Sequence, residues 1–507
     1  MKRIFTALIF LGYFLSAAGQ ERIGIANSNY SSINSIFLNP SSSVDSRTLL
    51  QCNLLGVNIF AMNNQVCIPR FNVWGAAKGN VNDPKAEPKG IKGFAYFKAE
   101  LNAPSIVVSN QEIGAGLFAR ARVEVAANNI PEDFIKMAVE NKIDTMQLLD
   151  INIRNTRISE MSWVEYGANF GMMYFKHSKT LITIGGNAKY ITGVNLAYGN
   201  IYRLNSKING TQYEIYNVNA KARYNEPAWK SGKGFGFDLG FTYKKALNFV
   251  ESYYANSPKS GCKYIDYQYK IGASLLDVGA VRFAQNTYKN EVSGSSTIYN
   301  FENVDFDSIM RADFNYKEEK DAPIWATLPT AFSIQGDLNL THHFYVNATI
   351  VQGITGPRMV GVQHANSLSI TPRFETRNIE FAVPLTFYRY IYPQLGAAIR
   401  FRTFVLGMDN ILPLIARTNT YGGNIYFNLG FSIFKNPKCK KSRARYTPTK
   451  KNYEGYTFLS LKNKKRTIMA NGQGEAPEGF SGGKRTKGSK QKKEKKRGII
   501  RRKSQKL

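Results

Sequence analysis

The chain has 507 residues, with 67 Lys or Arg against 36 Asp or Glu, a net charge of +31 and 43% hydrophobic residues. Beyond the N-terminus no apolar run approaches the roughly 18–20 residues that a spanning helix needs, which excludes a helical membrane protein. Four scattered cysteines (Cys52, Cys67, Cys262, Cys439) exclude a disulfide scaffold; Cys52 and Cys67 either pair across neighbouring strands or stand as free thiols.

The charge is uneven. Residues 435–507 carry 25 Lys or Arg against four Glu, a net of +21, which leaves +10 for residues 1–434. At the other end, Lys2 and Arg3 precede the apolar block "IFTALIFLGYFLSAAG" and then polar "QERIG". That order predicts a cleaved secretory signal over residues 1–19. Residues 20–49 are rich in Asn and Ser and lack periodicity, so they read as irregular structure ahead of the first strand.

From Leu50 onward the chain turns to period-2 segments, which send alternate side chains to opposite faces of a sheet. Candidates cover 51–60, 65–75, 93–108, 111–127, 161–176, 181–198 and 266–284. The most regular segments lie later, such as Phe332–Leu340, Phe344–Ile350, Leu368–Glu375, Ile379–Phe387, Leu395–Arg402 and Ile425–Ile433. Together they predict about 14 strands of roughly 9 to 13 residues. "NNIPEDFIKMAVEN" departs from the pattern: acidic residues follow Pro131, and apolar residues fall at helical spacing, so a short helix interrupts the strands. The polar stretches 200–232, 246–265 and 286–327 read as long loops at one end.

In "GKGFGFDLGFTYKK", Phe235, Phe237, Leu239, Phe241 and Tyr243 share one parity, and Gly234, Gly236, Asp238, Gly240 and Thr242 share the other. A soluble sandwich also alternates. Here the polar parity is Gly, Asn, Ser and Thr with scattered Arg, where a water-facing surface would carry many Lys and Glu. Small polar residues suit the crowded interior of a closed barrel, and strand edges in hydrocarbon must be closed. The expected fold is therefore all-β, a closed antiparallel transmembrane β-barrel of about 14 strands over 50–434. Its greasy face meets outer-membrane lipid, and Tyr243 is an interface aromatic. The last strand ends on Phe434, an aromatic terminus similar to the signal read by the outer-membrane barrel-insertion machinery.

"SSINSIFLNPSSSVDSR" (31–47) resembles the N-terminal Asn-Pro segment of the long-chain fatty-acid transporter type of barrel and its Bacteroidota relatives. "ASLLDVGAV" (273–281), "LPTAFSIQGDLNL" (328–340) and "LGAAIRFRTFVLGMDNIL" (395–412) resemble a Bacteroidota family of uncharacterised outer-membrane barrels. The resemblance covers roughly residues 24–434 and is strongest at its two ends. It implies that residues 20–49 form a plug around Phe37, Leu38, Asn39 and Pro40, in the outer membrane of a Gram-negative bacterium. Ser41 stands where the family usually has a small residue after Asn-Pro, a mild departure. No substrate is implied.

No catalytic, cofactor or metal constellation emerges. The four histidines lack a carboxylate at ligand spacing, and the glycines of "GKGFGFDLG" lie within a strand rather than at a strand-to-helix junction. Lys189, Asp238, Arg373, Glu375, Arg400 and Arg402 are expected to point into the lumen. There they form either a charged constriction that orients a ligand or compensating pairs that hold barrel and plug together.

Residues 435–507 have too many like charges to build a core and are expected to be disordered in the periplasm. Behind a secretory signal their partner is not nucleic acid. It is an anionic cell-wall polymer, acidic protein or lipid headgroup, and Tyr456, Phe458, Leu459 and Leu461 in "YTFLSL" offer a strand to it. Two functions follow: a plugged transporter passing hydrophobic or small ligands, or a non-transporting scaffold whose basic tail docks a secretion, motility or envelope assembly.

Overall fold

The computed structural model describes residues 22–87, 92–110, 112–140, 149–209, 212–250, 266–299, 306–341, 343–356 and 359–433. The signal segment 1–19, Phe434 and the tail segment Tyr456–Leu461 lie outside the described residues. Strands β1 (Leu50–Asn63) and β14 (Gly422–Ile433) pair antiparallel from Leu50↔Ile433 to Met62↔Gly422, which closes a 14-strand barrel.

Several strands are built in pieces. Between β1 and β14 run β2 (Gly93–Asn102 with Ser105–Ser109), β3 (Ile113–Ile130), β4 (Leu149–His177), β5 (Thr180–Asn209) and β6 (Gln212–Asn225 with Gly232–Ala246). Then come β7 (Tyr267–Phe283 with Thr287–Tyr299), β8 (Asn315–Lys320, Ile324–Thr327 and Ala331–Asn339), β9 (Phe344–Gly353) and β10 (Ser367–Glu375). The wall ends with β11 (Ile379–Ala382 with Leu385–Tyr388), β12 (Tyr392–Leu395 with Ala397–Phe401) and β13 (Phe404–Met408). All neighbours run antiparallel. The expected helix forms as Glu132–Glu140, between β3 and β4.

The two ends of the barrel differ. At the end where β1 starts and β14 stops, β2–β3, β4–β5, β8–β9, β10–β11 and β12–β13 are joined by short turns. At the opposite end, β4 and β5 reach 29 and 30 residues, far beyond the roughly 9–11 that cross a bilayer. They continue out of the barrel with the first part of β6 and the second part of β7. The stretches 200–232 and 286–327 are thus largely strand and not loop. These projections bury only local apolar clusters, Ile151 and Ile153 with Ile201 and Leu204, and Ile215 with Ile298 and Phe314, so the apolar parity along them is short and broken. The 246–265 connection lies at the short-turn end, opposite the other two, and 251–265 are outside the described residues. The 65–75 segment is not a wall strand either. Val66–Phe71 pairs outside the barrel with Lys85–Ala86 and Thr418–Thr420.

The opening parity resolves as lipid-facing. Phe235 and Leu239 are each 62% exposed on the outer face, while Gly234, Gly236 and Asp238 of the same strand are buried inside. Tyr243 pairs with Tyr269 of β7, ring centroids 6.1 Å apart. Cys52 and Cys67 do not pair with each other: the length of β1 separates one from the other.

An outward apolar position near mid-strand sets a first test. Leu239→Arg is expected to destabilise the barrel by about 2–4 kcal/mol, as a charge at hydrocarbon depth does. Denaturant unfolding in lipid vesicles measures this, and a loss no larger than that of Leu239→Ala would contradict the lipid-facing assignment.

Candidate functional site

Residues 22–48 lie inside the barrel at its short-turn end and connect directly into β1. They fold as three short turns of helix, Ile23–Ala26, Ser32–Ser35 and Pro40–Ser43. The last of these starts where a sequence of this kind should start one. The Asn39 Oδ1 accepts the Ser41 N–H at 3.1 Å, and Pro40 presets its own backbone for the first helical position.

The wall receives this turn with polar side chains. Asn39 Nδ2 donates to the Phe241 carbonyl and to Gln335 Oε1, both at 3.0 Å. Asn169 donates to the Pro40 carbonyl at 3.1 Å, Asn187 to the Ile36 carbonyl at 3.0 Å, and Ser274 to the Leu38 carbonyl at 2.6 Å. Between these donors the wall is glycine. A Cβ at Gly240 would stand 2.8 Å from Pro40 Cδ, and one at Gly185 would stand 2.8 Å from the Pro40 carbonyl oxygen. Gly114, Gly171 and Gly272 meet the same turn, so five adjacent strands, β3 to β7, share one socket. Leu38 is buried with Ala26, Ala331 and Val351. Phe37 packs edge-on against Phe118 at 5.1 Å, and the Arg120 guanidinium lies 4.0 Å over its ring.

Ion pairs lie on both sides of the socket. Toward the short turns, Arg47 contacts Asp266 at 3.0 Å and Glu375 at 3.7 Å, and donates to the Tyr345 hydroxyl at 2.7 Å. Burial acts to lower the Arg47 guanidinium, but Asp266, Tyr345 and Glu375 outweigh it and hold its pKa well above the ordinary value. Asp45 pairs with Lys244 and Lys270. Arg373 contacts Asp337 at 2.7 Å and Glu375 at 3.0 Å, and Arg400 contacts Glu380 at 2.7 Å. Asn29 and Ser28 of the N-terminal segment hydrogen-bond Glu375 and Glu380.

Beyond the socket a second layer joins β2 to β7. Lys189 bridges Asp238 at 2.7 Å and Asp277 at 2.5 Å. Arg122 bridges Asp277 at 2.8 Å and Glu124 at 2.6 Å, Arg120 pairs with Glu165, and Lys98 contacts Glu100 at 3.1 Å. Arg22 of the segment sits in the field of Glu100, and burial lowers its pKa to about 10. With Arg22 included, cations and carboxylates of this layer match one for one. Balance of this kind is what burial demands of charges.

Of the lumen residues read from the sequence, Lys189 and Asp238 meet in the second layer, and Arg373, Glu375 and Arg400 meet beside the segment. Arg402 does not join them. The strand ends at Phe401, and Arg402 is exposed in the turn to β13 with φ 54°, so parity counted across that turn misplaces it. Arg120, Arg122 and Glu124 were not singled out, although their shared parity in "ARARVEV" marked them. Asp277 carried no such signal. A bulge between Leu275 and Val278 turns both Leu276 and Asp277 inward, with Asp277 at φ 52°.

Toward the long-strand end an apolar cluster follows, including Met161, Trp163, Ile191, Val281, Phe283 and Leu328. The connection after β9 folds in against it, burying Val360 and Val362, and the Val360 carbonyl accepts the Thr327 N–H at 2.8 Å. Around the N-terminal segment the residual space is small, a cavity of about 40 Å³ beside Asp45, Lys270 and Asp337.

Two substitutions separate the socket from the ion pairs. Gly240→Val is expected to dislodge residues 22–48, so that protease cleaves within them while the barrel itself stays resistant. Arg47→Ala, which strips a partner from buried Glu375, is expected to lower unfolding stability by about 3 kcal/mol. Limited proteolysis and denaturant titration of the two proteins give these readouts.

Known structures with a similar trace share little sequence with this chain. The Ralstonia pickettii toluene transporter TbuX aligns at 10% identity over 83% of this chain and 100% of its own, with a TM-score of 0.40. A Pseudomonas aeruginosa FadL homologue aligns at 10% identity over 82% and 97%, TM-score 0.24, and the Pseudomonas putida toluene transporter TodX at 9% over 82% and 98%, TM-score 0.23. No curated protein sequence matches. A family model does, across residues 40–409, from the Asn39-Pro40 turn to the end of β13. The chain is a closed β-barrel protein and belongs to the family of unknown function DUF5723.

Proposed function

We propose that this barrel is a plugged outer-membrane transporter for hydrophobic or small ligands, with residues 22–48 as the gate and the long strands facing outward. One observation carries the reading. The short-turn half of the lumen is filled by the N-terminal segment, held through side-chain hydrogen bonds and ion pairs, and wall side chains fill the part beyond it. Bonds of that kind can be exchanged for water, about 1 kcal/mol at a time for the neutral ones, so the segment can leave without unfolding the barrel, and passage then depends on rearrangement of the side chains beyond it. Short turns on the inner side and long projections on the outer side are also the usual arrangement of such barrels.

The test is solute-driven swelling of liposomes that contain the full-length protein. The wild type is expected to pass small solutes slowly and Gly240→Val several-fold faster. Equal, negligible rates in both, with the segment shown by proteolysis to be displaced, would reject the gate.

A second reading, a scaffold, draws on a different observation. β1 begins and β14 ends at the short-turn end, and the sequence after Ile433 carries a net charge of +21. A periplasmic tail there would meet cell-wall carboxylates, acidic proteins or lipid headgroups. Truncation after Phe434 is expected to abolish salt-sensitive co-purification of such a partner and to leave swelling rates unchanged. Loss of both together would argue against a separate docking role.

A further inference from the structure

The outward mouth of the lumen holds a cavity of about 190 Å³ whose lining differs in kind from the apolar cluster beside it. Tyr96 of β2 and Asn128 of β3 form one wall; Thr355, Gln363 and Asn366 of the connection after β9 form another; Arg389, in the turn between β11 and β12, closes the third. These side chains brace each other. The Tyr96 hydroxyl donates to Asn128 Oδ1 at 3.0 Å, and Gln363 Nε2 donates to the Thr355 carbonyl at 3.3 Å. Asn366 Oδ1 accepts the Gly353 N–H at 2.9 Å. The Arg389 guanidinium is set 4.5 Å over the Phe94 ring, which fixes its plane. Its lining side chains include no carboxylate and no aliphatic group.

We infer that this cavity binds a small hydroxylated carboxylate, of about the size of a hexuronic acid. The inference rests on the transporter reading for its purpose, because it names the class of solute that would be collected at the mouth. A space that would otherwise hold on the order of half a dozen waters must be filled by a molecule that replaces their hydrogen bonds. Amide and phenol groups suit hydroxyls. Arg389 makes no ion pair among the described residues and suits one negative charge, with the planar fork that grips a carboxylate in two places. A greasy ligand would leave the Arg389 charge and the remaining hydrogen-bonding capacity of these groups unsatisfied. Inward, a space of about 20 Å³ shares Tyr96, Gln363 and His364 with the cavity; its lining turns mainly apolar, with Phe60, Val125 and Val362, and touches Lys98 and Glu124 of the second charge layer.

The test is calorimetric titration of the full-length protein in detergent with D-glucuronate and, as the uncharged counterpart, D-glucose. Glucuronate is expected to bind about tenfold more tightly than glucose, the worth of one charge-assisted contact at a partly exposed site. Arg389→Gln should erase that preference, and Asn128→Leu should weaken both sugars. Retention of the heat-dependent gel shift checks that each variant still folds as a barrel. Failure of both sugars to bind at millimolar concentration, or an unchanged preference in Arg389→Gln, would overturn the inference. Passage is scored separately by swelling. Glucuronate that binds but never crosses, even with the gate displaced, would keep the site and sink the transporter; glucuronate that crosses without binding would do the reverse.

Discussion

Closure of the sheet, by β1 against β14, is the constraint from which the rest follows. In hydrocarbon no water is available to an unpaired N–H or C=O, so every strand needs two neighbours and the sheet must return to its start. Closure then turns the usual distribution of residues inside out. Phenylalanine and leucine face lipid, and the interior is left to glycine, asparagine, serine and charge. Such an interior cannot be stabilised by hydrophobic burial alone; it holds only if each polar group finds a partner.

The N-terminal segment supplies many of those partners, and it does so in two ways. Its middle, around Asn39-Pro40, is held by neutral hydrogen bonds to side chains of β4 to β8. Its end, at Asp45 and Arg47, is tied by ion pairs buried near the short turns. Neutral bonds exchange readily with water, whereas separating buried ions leaves a charge stranded. The anchor therefore sits next to β1 and the weaker grip sits further along, so a displacement would start at the socket and pivot about Arg47. The second charge layer beyond the socket draws one of its cations, Arg22, from the segment, so a displacement that carried Arg22 away would leave a carboxylate of that layer uncompensated.

Much of the wall was legible in the sequence because its cause is local. A strand with lipid on one side and packed polar groups on the other must alternate, and Phe332–Leu340 or Ile425–Ile433 do so plainly. Legibility failed where that cause was absent. The projecting parts of β4 to β8 bury only small local clusters, such as Ile215 with Ile298 and Phe314, so their parity is short and broken. Asp277 was hidden by a bulge and Arg402 by a turn, each adding or removing a residue from the count. Lys189 and Asp238 were readable as inward residues, but their meeting with Asp277 depends on strand register across 88 and 39 positions of chain, which no local pattern contains. The mouth cavity was out of reach for the same reason: its lining comes from four separate regions of the chain.

The glycine socket also constrains how this protein can change over generations. Gly114, Gly171, Gly185, Gly240 and Gly272 are the imprint of one short turn pressed into the wall. A bulkier residue at Ser41 or Ser43 would require new space on distant strands, at Gly114, Gly171 and Gly185, and a side chain appearing on the wall would require a slimmer turn. Segment and wall are therefore a single inherited unit: lineages that alter one should show matched alterations in the other, and a graft from a relative would need to carry both.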